Sequence, residues 1–230
     1  MKKLALLLLL AGTAYSTLVR PRLIRWGATE EEVQGPYPGA DLIPGGTRSA
    51  TYAITINAPP ARVWPWLVQM GYGRAGWYSW DHLDNWGHTS ADRIHPEWQG
   101  ISLGDHLPSM PNDKGWWEVA ALEPGRFLGL RACVDLRMRP FDPHGPQPRF
   151  YSDSLWGFLL QEMPGGHTRL VESGYWALRP RWLQPLASLL LLDIQHWIMQ
   201  TRQFANLKRL AERDVAIISE ASSGTNTTRS

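Results

Sequence analysis

Acidic, basic and histidine side chains are concentrated between residues 81 and 97. Asp81 and His82 are adjacent, and Asp92 and Arg93 follow in the same segment. A histidine near carboxylates suits general acid–base catalysis, because the carboxylates tune its pKa toward neutrality. The same side chains also suit the anchoring of a polar ligand group, or the fixing of a helix end and a loop. Three interpretations therefore stay open: catalysis by His82 or Asp81, polar ligand anchoring, and local structure.

Tryptophan is unusually frequent, with 13 copies in 230 residues, five of them between positions 64 and 86. Its side chain combines a large apolar surface with one N–H donor, which suits a ligand with rings or with both apolar and polar parts. Any single tryptophan is better explained as core packing, but the whole set favours a lined pocket. The predicted ligand-binding residues are Trp64, Tyr78, Trp80, Asp81, Asp92, Arg93, Trp117, Trp156, Trp176 and Trp197.

Other kinds of active site have little support in the sequence. His82, His88, His95 and His106 are spaced by six, seven and eleven residues, which matches no short pair of metal ligands on a helix or hairpin. The single cysteine, Cys133, lies in an apolar stretch where a thiol is usually inert. Neither a Gly-x-Ser-x-Gly elbow nor a glycine-rich phosphate loop occurs. The sequence therefore predicts no metal centre and no cofactor.

Composition limits the class of protein. Lys and Arg number 23 against 21 Asp and Glu, so the net charge is only +2 and lacks the basic excess of a nucleic-acid-binding protein. Hydrophobic residues make up 43% and charged residues 19%, which indicates a folded chain with a substantial core. The length fits one domain with terminal extensions. Nucleic acid is not a predicted partner.

The elements that position these side chains begin with a half-buried strand over 51–57, where Tyr52, Ile54 and Ile56 alternate with smaller residues. Two prolines then start a short amphipathic helix that ends near Gly71, and a second short helix is predicted with Ser79 as its N-cap. Five strands follow, with a further one predicted over 136–141. They are predicted over 106–110, 116–122, 127–134, 150–161 and 168–178.

A final helix is predicted from Arg181 onward. Apolar residues recur along one face of it, more densely in its first half than in its second. The residues predicted on this face are Leu186, Leu190, Ile194, Trp197, Thr201, Phe204 and Ala211. Because both the sheet and this helix have an apolar face to cover, the predicted fold class is α+β: a curved antiparallel sheet wrapped around a long C-terminal helix, with two short helices after the first strand.

The two termini differ from this domain, which is predicted over 23–215. Lys2 and Lys3 precede an apolar stretch over 4–19, as in a signal sequence. An uncleaved membrane anchor over 1–22 and a cleaved export signal both fit this pattern, so the protein is predicted to be membrane-associated or exported. Residues 216–230 are polar and aperiodic, and they are predicted to be a disordered tail.

Five segments, taken in order, resemble the START-like helix-grip superfamily, also called SRPBCC, which includes polyketide cyclase-like and lipid-transfer proteins. The resemblance covers roughly residues 23–213. The segments are ITINAPPARVWPWLVQMG at 54–71, GWYSWDHLDN at 76–85, SADRIHPEWQGISLGD at 90–105, EPGR at 123–126 and GGHTRLV at 165–171.

The resemblance implies a deep apolar cavity between the sheet and the long helix. It implies no single reaction, because some members of the superfamily are enzymes and many only bind. The sequence thus predicts binding, or transport, of a hydrophobic small molecule or lipid near a membrane. One alternative is a cyclase or dehydratase that uses His82 or Asp81 as acid or base. Another is a non-catalytic structural module whose aromatic residues only fill a core.

Overall fold

The structure is a computed structural model that describes residues 3, 10, 12–143, 145–188 and 193–224. These residues form one antiparallel sheet of seven strands, in the order β1-β7-β6-β5-β4-β3, with β2 also paired to β7. The strands are β1 Thr47–Arg48, β2 Tyr52–Ile56, β3 His106–Pro108, β4 Trp116–Glu123, β5 Phe127–Asp135, β6 Tyr151–Met163 and β7 His167–Arg179.

Helices precede, interrupt and follow the strands. Four short 3₁₀ turns and one π turn accompany them within the described residues. The α-helices are α1 Arg20–Leu23, α2 Glu30–Gln34, α3 Pro60–Val68, α4 Asp81–Asp84, α5 Gln184–Ala187 and α6 Asp193–Gly224. The 3₁₀ turns are Ala40–Leu42, Pro96–Trp98, Pro111–Asp113 and Arg181–Leu183, and the π turn is Tyr15–Val19.

The longest strands, β6 and β7, form the hairpin that the sequence predicts. They pair in continuous register from Tyr151 opposite Arg179 to Met163 opposite His167. Gly165 and Gly166 between them both have positive φ, 85° and 75°. Residues with a Cβ rarely adopt two such conformations in a row, so the glycines make this tight reversal possible.

One half of the concave sheet face is a packed core. Alternate residues of the strands, such as Phe158 and Leu170, contact Phe204 and Leu207 near the middle of α6, and all four side chains are fully buried. Helix α3 adds Trp66 to this cluster. Since large apolar side chains fill the space between sheet and helix here, this end anchors α6 to the sheet.

The opposite, convex face of the sheet is covered by the segment between α1 and β1. Tyr37 packs edge-on against Phe127, and its hydroxyl donates to the Val171 carbonyl at 3.1 Å. An ion pair between Arg169 Nε and Glu32 Oε1 at 2.7 Å ties α2 to β7. The irregular lead-in thus buries the second apolar face of the sheet.

The α+β prediction is confirmed, but three local predictions are wrong. Ile194, predicted on the apolar face of the final helix, is exposed; helical turns are described from Arg181 to Ala187 and again from Asp193, on either side of residues that lie outside the described part. Ser79 does not cap α4, because its hydroxyl donates to the Met199 carbonyl at 3.0 Å. Residues 136–141 form no strand, because the Asp135 carboxylate accepts hydrogen bonds from the Arg137 and Arg139 backbone amides and folds this segment into a turn.

Residues 4–9 and 11 of the predicted N-terminal apolar stretch lie outside the described residues, as do Leu190 and residues 225–230. Among the described residues, no helix is long and apolar enough to span a membrane. At the other end, α6 extends through Gly224 and so enters the segment predicted as a tail.

Candidate functional site

A cavity of about 1450 Å³ lies between the other half of the concave sheet face and the first half of α6. Its sheet side is formed by inward residues such as Ala132, Ser154 and Trp176, and its helix side by His196 and Gln200. Small or flat side chains occupy the strand positions that hold Leu and Phe in the packed half. The sheet and helix therefore stay apart at this end, and the space exceeds that of a typical ligand pocket.

Six of the described tryptophans line this cavity. Three of them meet at its inner wall, where the Trp156 ring lies 5.7 Å from Trp77 and 5.4 Å from Trp117, measured between ring centroids. Phe158 continues the cluster at 4.7 Å from Trp156. The six are Trp77, Trp86, Trp116, Trp117, Trp156 and Trp176.

The indole N–H groups of this wall differ in their hydrogen bonding. Trp176 Nε1 donates to Ser152 Oγ at 2.7 Å. Trp156 Nε1 is buried and has no hydrogen-bond partner among the described residues. A buried donor without a partner is costly, so a ligand acceptor that reached it would be bound more tightly.

A carboxylate lies at the inner end of the cavity, where the packed core begins. Glu172 on β7 is only 1% exposed, and its Oε1 lies 3.4 Å from Nε2 of His196 on α6. Tyr52 is directly opposite Glu172 in the β2–β7 register, and its ring is edge-on to the His196 ring at 5.1 Å. Glu172 and His196 line the cavity and form its polar floor, and Tyr52 contacts His196 from the packed core.

The charge of His196 depends on its surroundings. Burial by itself lowers the pKa of the imidazole, but the Glu172 carboxylate and the charge of Asp193 raise it, and the net pKa is above the ordinary value of 6.5. A raised pKa favours an imidazolium paired with the Glu172 carboxylate. The floor is then polar but close to neutral overall.

The rim of the cavity contains both an ion pair and exposed apolar side chains. Arg20 of α1 donates from Nε to Asp193 Oδ2 at 2.6 Å, which joins α1 to the start of α6. Leu83 on α4 and Leu136 after β5 are 71% and 62% exposed, respectively, and line the same cavity. The rim thus presents apolar groups to solvent.

Asp84 faces the cavity from α4. Burial raises the pKa of its carboxyl to about 6; the nearby Ser79 side chain opposes this shift in part, and the charge of Asp81 adds to it. Its Oδ1 is buried without a partner among the residues described. The Asp84 carboxylate is therefore poorly solvated, although it lies at the edge of the cavity.

Three of the predicted ligand-binding residues, Trp117, Trp156 and Trp176, line the cavity. Two others are in the packed core: Tyr78 is fully buried and accepts from Gln69 Nε2 at 2.6 Å, and Trp64 packs against the core cluster from α3. Neither of these two residues lines the cavity, because both side chains pack in or against the core cluster that includes Trp66 of α3.

Trp197 and Trp80 also have structural positions. Trp197 packs against the core cluster beside the cavity without lining it. Trp80 is 44% exposed and donates from Nε1 to the Ile198 carbonyl at 3.3 Å, while Arg202 lies over its ring at 5.0 Å. Trp80 therefore fixes the start of α4 to α6.

The four site residues predicted between 81 and 97, which are Asp81, His82, Asp92 and Arg93, do not line the cavity, although Asp84 of the same segment does. Asp81 Oδ1 accepts from Ser90 Oγ at 2.6 Å and so fixes the following loop, and His82 is exposed on α4. Asp92 and Arg93 are also exposed, and both use their backbone carbonyls as acceptors. The structural interpretation of this segment is the one that the geometry favours.

The cavity residues that sequence reasoning missed had a signal. Glu172 shares its strand parity with Leu170, Trp176 and Leu178, so a carboxylate stands on a face that is otherwise apolar. His196 and Gln200 are one helical turn apart, in line with Phe204. Polar residues at these inward positions identify the floor.

No family model matches this chain, and no curated protein matches it significantly. Solved structures that align with it include protein MLL2253 from Mesorhizobium loti (20% identity, 71% of this chain and 97% of the other, TM-score 0.34) and the Polyketide_cyc-like protein Cgl2372 from Corynebacterium glutamicum (19%, 82% and 100%, 0.31). CalU16 from Micromonospora echinospora aligns at 13% identity over 76% and 92%, with a TM-score of 0.34.

TM-scores this low carry no argument about the present chain, whose fold is assigned from its own elements. Strands β2 and β7 pair with each other, and two short helices, α3 and α4, follow β2. The strands from β3 to β7 form a meander that continues the sheet. The long helix α6 packs on the concave face. By this arrangement, the chain has a helix-grip fold like that of the SRPBCC superfamily.

Proposed function

We propose that the protein binds a hydrophobic small molecule or lipid in the cavity between the sheet and α6. The observation that carries the proposal is the contrast between the two halves of the concave face. One half is packed by side chains such as Phe158 and Phe204, whereas the other holds about 1450 Å³ with six tryptophans in its wall. A structural module would gain stability by filling this space, so the space favours a ligand.

The driving force is the removal of apolar surface from water. Each Å² of apolar surface buried stabilises the complex by about 25 cal/mol before the entropic costs of binding. The indole rings suit flat or chain-like apolar groups, and the polar floor at Glu172 suits a single polar end. The geometry therefore favours an amphiphilic ligand over a pure hydrocarbon.

A membrane setting belongs to the same proposal. The segment predicted as an anchor or signal leads directly into the cavity rim, because Arg20 and Ile24 both line the cavity. A membrane-bound N-terminal segment would hold the rim close to the bilayer. A lipid binder in that position meets its ligand at high effective concentration.

The enzyme alternative, in the form that the sequence predicts, has no support from the geometry. The Asp81 carboxylate is hydrogen-bonded to Ser90, and neither Asp81 nor His82 lines the cavity. An acid or base must be within hydrogen-bond reach of its substrate. Binding is therefore the function that the arrangement supports best.

The experiment is a titration of the full-length chain, in nanodiscs of fixed lipid composition, with the fluorescent probe N-phenyl-1-naphthylamine. Empty nanodiscs supply the blank. We expect saturable binding to the unmodified chain. Ser154→Phe, which fills the cavity, should weaken that binding at least tenfold. Gln161→Phe places the same side chain at an exposed position of the same strand and should leave it unchanged.

Two results would contradict the proposal. One is the absence of saturable binding by the unmodified chain, together with no co-purifying apolar mass in native mass spectrometry. The other is equal binding by the Ser154→Phe and Gln161→Phe variants, which would place the probe outside the cavity.

A further inference from the structure

One oxygen of the Glu172 carboxylate is without a partner at the floor of the cavity. Oε1 is paired with His196, but Oε2 is buried and accepts no hydrogen bond from any residue that the structure describes. Glu172 itself is 1% exposed and lines the cavity. A buried carboxylate normally has all its oxygens hydrogen-bonded, so the free oxygen requires an explanation.

A chain of side-chain amides beside Glu172 adds a second acceptor. Gln203 Nε2 donates to the Trp77 carbonyl at 2.8 Å, and Gln200 Nε2 donates to Gln203 Oε1 at 2.8 Å. Because a backbone carbonyl accepts only, it fixes the direction of the whole chain. Gln200 Oε1 is then directed away from Gln203, and it makes no hydrogen bond of normal geometry to a described residue.

The chemistry of the floor therefore selects the polar end of the ligand. Among the residues that line the floor, both unpartnered atoms are acceptors, so the group that satisfies them must be a donor; the Tyr52 hydroxyl, which also has no partner among the described residues, belongs to a residue that does not line the cavity. The Glu172 charge already faces the His196 imidazole and, across the strand pair, the uncharged Tyr52 ring. A neutral hydroxyl restores the missing hydrogen bond without adding an unpaired charge to a buried site.

The position of Glu172 sets which part of the ligand is bound there. Along β7 the inward residues run from Glu172 through Trp176 to Leu178, and the latter two also line the cavity. Six residues of strand span about 20 Å. A ligand that reaches the floor thus lies lengthwise, with its apolar part against Trp176 and Trp156.

We propose that Glu172 is the specificity-determining anchor of the cavity: its free oxygen accepts a hydrogen bond from the hydroxyl group of a long-chain alcohol or phenol. This inference rests on the proposed function. It narrows the ligand class to hydrophobic molecules that end in a hydroxyl group, and it places ethers, esters and hydrocarbons at a disadvantage because they offer no donor.

The test compares two isomers, 1-tridecanol and dodecyl methyl ether, as competitors of N-phenyl-1-naphthylamine on the full-length chain in the same nanodiscs. The two compounds have the same atoms, but only the alcohol has a donor. For each protein the preference is the inhibition constant of the ether divided by that of the alcohol. Comparing this ratio between the unmodified chain and Glu172→Gln cancels the different hydration and lipid partitioning of the two compounds.

We expect Glu172→Gln to lower the preference for the alcohol about tenfold, since hydrogen bonds to charged acceptors are the stronger ones. Glu172→Asp, which withdraws the carboxylate by one methylene, should also lower the preference for the alcohol. This variant replaces Glu172→Gln in the test if the glutamine variant does not fold. Glu162→Gln, at the exposed end of β6, should not change it.

The outcomes separate the two proposals. Binding of the probe with an unchanged alcohol preference in both Glu172 variants overturns the anchor and leaves the proposed function standing. A lack of probe binding by the unmodified chain overturns both.

Discussion

Glu172 on β7 and His196 on α6 face each other across the interface of sheet and helix, with Oε1 3.4 Å from Nε2. The pair lies where the packed core ends and the cavity begins. On one side the pair contacts the packed core cluster that contains Phe204, and on the other side it faces the cavity that Trp176 lines. The pair that contributes to holding α6 against the sheet also forms the floor of the proposed binding site.

This pair predicts a pH-dependent contribution to stability. Because the pKa of His196 is higher in the folded state than its ordinary value of 6.5, its stabilising effect is fully present below pH 6.5 and is lost as the pH rises through the folded pKa. His196→Gln should therefore cost more free energy of unfolding at pH 5.5 than at pH 9. Chemical denaturation of both proteins at the two pH values measures the difference.

The control for that experiment is the exposed imidazole of His82. His82→Gln should change the free energy of unfolding by less than about 0.5 kcal/mol. An equal cost of His196→Gln at pH 5.5 and pH 9 would show that Glu172 and His196 do not interact as an ion pair.

The carboxyl group of Asp84 also predicts that the stability of the protein falls as the pH rises, but for a different reason. The pKa of its carboxyl rises from 3.8 to about 6 on folding, so the folded state holds the proton more tightly, and stability falls as the pH rises between these values. Asp84→Asn removes this penalty. The variant should be more stable at pH 7 by about 1 kcal/mol after allowance for partial exposure, and this gain should disappear below pH 4.

Asp92→Asn, at an exposed position of the neighbouring loop, is the matched control and should have little effect. Thermal unfolding followed at pH 4 and pH 7 checks the prediction. A loss of stability in Asp84→Asn at pH 7 would mean that the carboxylate has a favourable partner.

The strands were largely predictable from the sequence, because each is marked by local features. Tyr52, Ile54 and Ile56 alternate along β2, and Gly165-Gly166 reverses the chain between β6 and β7. The exposure of Ile194 on α6 was not predictable in the same way, because a pattern of apolar residues alone does not show which of them pack against the sheet.

The candidate site was only partly predictable, for a physical reason. Trp117, Trp156 and Trp176 were predictable as pocket residues because the abundance of tryptophan favours a lined pocket. The charged residues around Asp81 suggest catalysis or ligand anchoring by their composition, yet the Asp81 carboxylate stabilises a loop by its hydrogen bond to Ser90. Glu172 and His196 are far apart in the sequence, and only the pairing of β7 with α6 brings them together.

The aromatic wall predicts the effect of removing its central ring. Trp156 contacts the rings of Trp77, Trp117 and Phe158, so Trp156→Ala should lower the free energy of unfolding by about 2 kcal/mol and also weaken binding of N-phenyl-1-naphthylamine. Trp182→Ala provides the matched control, because Trp182 is 73% exposed and lies outside the cavity. Denaturation and probe titration measure the two effects, and a Trp156→Ala variant as stable as Trp182→Ala would show that the wall is not packed.

The last prediction concerns Cys133 on the convex face of the sheet. Burial and a hydrogen bond to Asp153 raise the pKa of the thiol to about 12, and the residue is only 8% exposed. Arg131 holds that Asp153 carboxylate in place through two hydrogen bonds, at 3.0 Å and 2.8 Å. Since the thiolate is the reactive form, a folded chain at pH 8 should react with a disulfide reagent at least a thousandfold more slowly than a free thiol.

Because the chain has a single cysteine, the whole labelling signal reports on this site. In guanidinium chloride, which removes both the burial and the Asp153 contact, one thiol per chain should react at the rate of a free cysteine. Asp153→Asn should accelerate labelling of the folded chain, because it removes the carboxylate that opposes ionisation and leaves the Arg131 charge beside the thiol. Complete labelling of the native protein within seconds would contradict both the burial of Cys133 and its pairing with Asp153.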